Sequence, residues 1–133
     1  MSSVGDIQKV KLNEICRFFG PDSTVSEIAD MMDLQDIGAV PIINENNQLM
    51  GVVSERDIVR KLVKNGRDSD LVTAKDIMTS KVITVTKKTS QIDALKLMQT
   101  NKIRHLPIVD DSQKLINVIS HRDIVDPSHG SNK

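Results

Sequence analysis

The chain has 133 residues, a mass of 14.8 kDa, 38% apolar residues, and 18 basic against 18 acidic side chains. This length suits one ordinary domain or two very small ones, and should bury roughly two thirds of the unfolded surface without metal or disulfide staples. Zero net charge, two Phe and no Trp or Tyr argue against a nucleic-acid binder.

No uncharged run approaches the roughly 18 apolar residues of a bilayer span, and no apolar stretch after Met1 reads as a signal peptide. The single cysteine, Cys16, excludes an internal disulfide and any multi-cysteine zinc site. These features predict a soluble, cytoplasmic domain with an aliphatic core.

In chain order, Ser23-Thr24 is an N-cap signal before a helical pattern of Val25, Ile28, Ala29 and Met32. Short apolar runs at Ala39–Ile43 and Leu49–Val53, separated by the polar turn Asn44–Gln48, predict a hairpin. A helix opens at Ser54, and a polar linker occupies 65–73. Ala74–Met78 reads as a helical turn and Val82–Val85 as an extra strand. The pattern then recurs. Thr89-Ser90 caps a helix with Ile92, Leu95 and Met98 on one side; Leu106–Val109 and Leu115–Ile119 flank the turn Asp110–Lys114; and a helix opens at Ser120. The tail 126–133 is expected to fray.

A shift of 66 residues brings the two halves into register. Positions 21–59 match 87–125 at 11 of 39 sites, and six of those lie in the eight-residue block Val52–Val59 against Val118–Val125. Chance matches would scatter. The reading is therefore a duplication, with repeat 1 at 10–64 and repeat 2 at 74–125. Each repeat alone would be marginal, so the pair is expected to form one pseudo-twofold domain with a cleft where the copies meet.

The strongest local motif is Ser54-x-x-Asp57, repeated as Ser120-x-x-Asp123. As structure it is a capping box, with Ser at the N-cap and the acid three residues on. Two features point further. Arg56 and Arg122 recur although a cap does not require them, and a strand running into a helix N-terminus offers backbone N–H groups to an anion. An ionised carboxylate there can also accept two hydrogen bonds from a ribose diol.

These residues resemble a tandem pair of cystathionine-beta-synthase (CBS) domains, a Bateman module, here expected to stand alone. The block Gly51–Asp57 matches the family's Gly-h-x-Ser/Thr-x-x-Asp signature, and Lys102–Asp110 its strand-before-proline signature. Asp76–Met78 and Val82–Val85 resemble its lead-in turn and first strand. The resemblance covers about residues 10–125. It implies an α/β (α+β) fold of two β-α-β-β-α repeats packed sheet to sheet, usually dimerised. It also implies a regulatory ligand containing adenosine: AMP, ADP, ATP, NAD or S-adenosylmethionine.

By the same resemblance each ligand site is composite. Ser54, Arg56 and Asp57 would face Ile83, Thr84, Ile103, Arg104 and His105. Asp57 would hold the ribose, Ser54 a ribose or phosphate oxygen, and Thr84 the adenine edge. Arg104, with Arg56 or His105, would neutralise phosphate. The second site, at Ser120, Arg122 and Asp123 with Gly38 and Ala39, departs from the pattern. Asn117 stands for Gly51, Phe18 for Thr84, and Gly38 for Arg104. One competent and one degraded site are expected.

Other candidates are weaker. His105, His121 and His129 lack metal-ligand spacing, so no metal is expected. Cys16 reads as a small buried apolar residue, and Met31, Met32 and Met98 as core or subunit contacts. Arg60 and Lys61, on the helix after Asp57, are secondary candidates for contact with a long phosphate chain. No nucleophile–base pair or P-loop supports an enzyme. The expected function is an adenine-nucleotide sensor, a homodimer acting on an unknown target protein, with no cofactor required. The alternative is a ligand-free dimerisation scaffold in which the Ser-x-x-Asp motifs only cap helices.

Overall fold

The computed structural model describes residues 2–14 and 16–126. After a 3₁₀ turn at Val4–Asp6, the elements run α1 (Gln8–Lys11), α2 (Val25–Gln35), β1 (Ala39–Ile43), β2 (Leu49–Ser54) and α3 (Glu55–Asp57), which widens into a π-type helix over Ile58–Val63. Then follow α4 (Ala74–Ile77), α5 (Gln91–Asn101), β3 (His105–Val109), β4 (Leu115–Ser120) and α6 (His121–Val125). The chain divides into two compact units. The first is Arg17–Val82; the second joins Met1–Cys16 to Ile83–Lys133.

In the first unit, Thr24 caps α2: its hydroxyl accepts from Glu27 N–H at 3.2 Å, and the Glu27 carboxylate returns to the Thr24 backbone. Val25, Ile28 and Met32 turn inward, as their spacing requires, and α2 ends at Asp36 in the left-handed conformation (φ 53°). The run Ala39-Val40-Pro41-Ile42-Ile43 is buried at every position, whereas β2 buries only Gly51 and Val53. They pair antiparallel from Ala39↔Ser54 to Ile43↔Leu49, with a bulge between Ile42 and Ile43. Asn44 closes the turn, its side-chain oxygen accepting from Asn46 N–H and Gln48 N–H at 2.9 and 3.0 Å.

The second unit repeats this at a 66-residue offset. Ser90 caps α5, Lys102 ends it at φ 56°, and β3–β4 pair from His105↔Ser120 to Val109↔Leu115, with the bulge at Ile108/Val109. Asp110 closes the hairpin as Asn44 does. The duplication therefore extends to backbone register and bulge position.

The extra strand expected at Val82–Val85 reduces to a single parallel bridge, Val85↔Ile108, matched in the first unit by Phe19↔Ile42. Only Val85 joins the ladder, because the Val82 N–H folds back onto the Ser80 carbonyl and Thr86 N–H onto the Thr89 hydroxyl.

Repeats and units cross. Residues 74–82, read as the opening of repeat 2, pack in the first unit: Val52 and Thr79 exchange both backbone hydrogen bonds, at 3.0 and 2.9 Å. Residues 4–14 pack in the second, with Val4 N–H on the Thr89 carbonyl and Val10 in its core. Each unit thus takes its lead-in segment from the stretch preceding the other repeat.

Candidate functional site

Each cap sits where the second hairpin strand becomes a helix, and the strand register fixes its neighbours. Ser54 lies opposite Ala39, and the Glu55 N–H is taken by the Gly38 carbonyl at 3.0 Å. Ser120 lies opposite His105, and the His121 N–H is taken by the Arg104 carbonyl at 2.8 Å. The Asp57 and Asp123 N–H groups go to the Ser54 and Ser120 hydroxyls, each at 3.2 Å. The open row of N–H donors expected at these helix starts is therefore mostly spent, because the residue before the first strand supplies a carbonyl to it.

Asp57 is buried, only 7% exposed, and its acceptor positions are filled from its own unit. One oxygen, Oδ2, accepts from the Ser54 N–H at 2.9 Å and the Ser54 hydroxyl at 3.0 Å. The other, Oδ1, accepts from the Thr79 hydroxyl at 3.0 Å and the Lys61 ammonium at 3.1 Å. Four donors match the four lone-pair positions of a carboxylate. Lys61 also donates to the Ile77 carbonyl at 3.0 Å, so it ties Asp57 to the end of α4.

Asp123 is built differently. Its hydrogen bonds converge on Oδ2, from the Ser120 N–H at 2.7 Å and the Lys9 ammonium at 2.8 Å. In the first unit the other oxygen is served by Thr79 from the lead-in segment and Lys61 from the helix itself, whereas here the lead-in segment contributes Lys9 to Oδ2. Burial pushes the Asp123 carboxyl up, but Lys9 and the Ser120 donors outweigh it and hold it below the usual carboxylate range.

Gly51 and Asn117 mark the other departure. A Cβ on Gly51 would lie 2.7 Å from the Thr79 carbonyl oxygen and 2.9 Å from Met78 Sδ, so only glycine admits this close backbone pairing. At Asn117 the ladder is replaced by a side chain: the buried amide donates to the Glu14 carbonyl at 3.1 Å and accepts from Val118 N–H at 2.8 Å.

The remaining expected site residues separate by unit. Phe18, Gly38, Ala39, Ser54, Arg56 and Asp57 belong to the first; Ile83, Thr84, Ile103, Arg104, His105, Ser120, Arg122 and Asp123 belong to the second. Ile83 and Ile103 are half-buried against the second core, and Thr84 is half-buried beside them in sequence. Arg56, Arg104 and Arg122 are exposed. Phe18 is 52% exposed.

Cys16 is half-buried rather than buried; burial raises its thiol, with Lys9 opposing. Met32 and Met98 are core residues and Met31 is half-buried. His129 lies outside the described residues, and among the described residues no group of three His, Cys, Asp or Glu side chains is placed to hold a metal. No helix among them is long and apolar enough to cross a membrane.

The sequence reading overlooked Thr79 and Lys9. It also missed that Ser3/Asp6 and Thr73/Asp76 form capping boxes too. The Lys61 contact has a visible signal, its i+4 spacing from Asp57. Thr79 and Lys9 have none, since they approach from segments distant in sequence.

The chain is similar in sequence and fold to known proteins. An uncharacterized protein of Methanopyrus kandleri is 45% identical over 79% of this chain and 54% of its own length. Inosine-5'-monophosphate dehydrogenase of Methanocaldococcus jannaschii is 33% identical over 79% of this chain and 20% of its own length. The chain spans about half or less of these curated relatives. Among solved structures, a putative signal-transduction protein with CBS domains from Burkholderia ambifaria superposes with a TM-score of 0.85 at 29% identity, covering 99% of this chain and 97% of that one. CBSX2 in complex with AMP gives 0.79 at 25% identity over 100% of both chains. The CBS domain pair of protein MJ0100, in complex with 5'-methylthioadenosine and S-adenosyl-L-methionine, gives 0.77 at 25%, covering 92% and 96%. The CBS domain model itself matches twice, at residues 4–64 and 74–130. With both copies of the motif, register and cap in place, the chain belongs to the CBS-domain family.

Proposed function

We propose that this chain is a regulatory module, not an enzyme, that binds an adenosine-containing ligand (AMP, ADP, ATP, NAD or S-adenosylmethionine). The observation that carries the reading is the buried Asp57 carboxylate at a strand–helix junction, in a family whose relatives hold AMP and S-adenosylmethionine. In this reading Asp57 and Ser54 take the ribose, Thr84 reads the adenine, and Ile83 and Ile103 contact the purine. Arg104, Arg56 and His105 take the phosphates. The Ser120, Arg122 and Asp123 set with Gly38 and Ala39 forms the weaker site.

A diol reaching Asp57 must displace donors already bound to Oδ1. Those donors are Thr79 and Lys61, and Lys61 also holds the Ile77 carbonyl. Ligand binding is thereby coupled to the position of α4, which supplies the differential affinity between two conformations that a regulatory ligand needs. The module acts as a cytoplasmic homodimer whose geometry the ligand changes, relayed to a target protein.

The filled acceptor set of Asp57 also favours a second reading, a ligand-free scaffold in which both motifs only cap helices. Mass spectrometry of co-purifying small molecules and a thermal-shift panel of the five ligands separate the two. A ligand at about 100 times its dissociation constant adds about 2.7 kcal/mol to stability. A flat panel on stripped protein favours the scaffold.

A further inference from the structure

The two lead-in segments align at an offset of 70 residues, not the 66 that relates the hairpins. Ser3 bridges to Ser90 as Thr73 bridges to Thr24, and each opens a capping box, with Asp6 and Asp76 as the acids. Behind these caps Val4 and Ala74 are fully buried, and Ile7 and Ile77 follow them into the two cores. Six residues after each capping hydroxyl stand Lys9 and Thr79. Each reaches a capping carboxylate, Lys9 on Asp123 at 2.8 Å and Thr79 on Asp57 at 3.0 Å. Lys9 is therefore the counterpart of Thr79, a cation where the first unit has a hydroxyl.

The spacing downstream shows how the chain accommodates the difference. The segments rejoin the hairpins at Phe19 and Val85, ten positions after Lys9 but only six after Thr79. The four-residue α1 absorbs that surplus. Where Thr79 pairs as backbone with Val52 on β2, the N-terminal segment is coiled at Lys9 and holds β4 through the Asn117 amide on the Glu14 carbonyl.

A ribose hydroxyl that replaces Thr79 exchanges one neutral donor for another. One that replaces Lys9 exchanges a charge-assisted bond for a weaker neutral one and leaves an enclosed carboxylate without its cation. The Asp123 side chain is 6% exposed and that of Lys9 25%. Lys61, the ammonium beside Asp57, is 43% exposed and sits at 3.1 Å, so it turns out to water more readily. Ile7 and Val10, buried on either side of Lys9, keep its ammonium tethered beside Asp123 at high effective concentration.

We propose that Lys9 is the specificity-determining residue that makes the two junctions unequal: its ammonium is an internal competitor that holds the diol position on Asp123 and keeps an adenosine ligand out of the Ser120/Asp123 site. That site is latent, and the loss of one cation opens it. This rests on the ribose reading of the Ser-x-x-Asp junctions and adds the determinant of which junction accepts a diol.

Calorimetric titration of the stripped full chain with AMP tests it. The wild type takes one AMP per chain. Lys9→Thr, which installs the first unit's own donor, takes two, the second site gaining about tenfold or more in affinity. Lys9→Met, which removes the cation by a different side chain, also takes two. Lys9→Arg keeps a cation and stays at one, and Lys9→Thr combined with Asp123→Asn returns to one. One AMP per chain in both Lys9→Thr and Lys9→Met, or two in the wild type, overturns the role of Lys9 and leaves the Asp57 site standing. A second AMP that survives Asp123→Asn overturns it as well. A wild type that takes no AMP overturns the ligand reading and this inference with it.

Discussion

The two capping carboxylates share a motif, a backbone register and a helix start, yet they are held by different means. Asp57 receives a hydroxyl from its lead-in segment and an ammonium from its own helix; Asp123 receives an ammonium from its lead-in segment. The lead-in itself follows suit. Beside Gly51 it pairs as backbone, and at Asn117 it is met by an amide. After duplication, the parts that a unit must have, cap and hairpin, stay fixed by local geometry. The parts contributed by a separate stretch of chain are free to diverge.

The sharpest way to break this comparison is to transplant one solution into the other unit. Gly51→Asn drives a side chain into the Thr79 carbonyl, and we expect it to destabilise the protein by about 3 kcal/mol in urea titration. A loss under about 1 kcal/mol shows that the lead-in segment yields easily. Asp57→Ala removes the cap and an acceptor for Thr79 and Lys61. We expect a cost of about 2 kcal/mol, more than for Asp123→Ala, because Asp57 serves more donors.

Lys9→Met should have a smaller effect, about 1 kcal/mol, and a diagnostic pH dependence. The Asp123 carboxyl titrates below its ordinary value in the folded state, so the unfolded chain takes up the proton first as pH falls. Its stabilisation is therefore complete above the unfolded value and is lost as pH drops through the lower, folded one. Asp6 and Asp76 titrate in the same acidic window, held down by their own caps, so the difference between wild type and Lys9→Met is the quantity to read. Parallel stability curves from pH 6 down to pH 3 contradict the assignment.

Much of this was legible in the sequence because it is local. The strand Ala39–Ile43 is visible as a continuous apolar run, and the caps at Thr24, Ser54, Ser90 and Ser120 as short polar motifs before periodic segments. The 66-residue offset fixed the equivalences. What stayed hidden depends on partners far along the chain. Val82–Val85 has strand composition, but the Val82 N–H turns back onto the Ser80 carbonyl and Val85 alone bridges to the hairpin, at Ile108. The Ser-x-x-Asp spacing could not distinguish the exposed boxes at Asp6 and Asp76 from the enclosed ones at Asp57 and Asp123. That difference lies in whether Thr79, Lys61 or Lys9 closes over the acid, and only Lys61 lies near its partner in sequence.

The central claim is that Asp57 exchanges its own donors for those of a ribose, and calorimetric titration of stripped protein with AMP tests it most directly. The account predicts one saturable site in the wild type, binding about tenfold or more weaker in Asp57→Asn, and affinity equal or tighter in Thr79→Val, where one competing donor is gone. No heat from the wild type, or undiminished binding by Asp57→Asn, would contradict it.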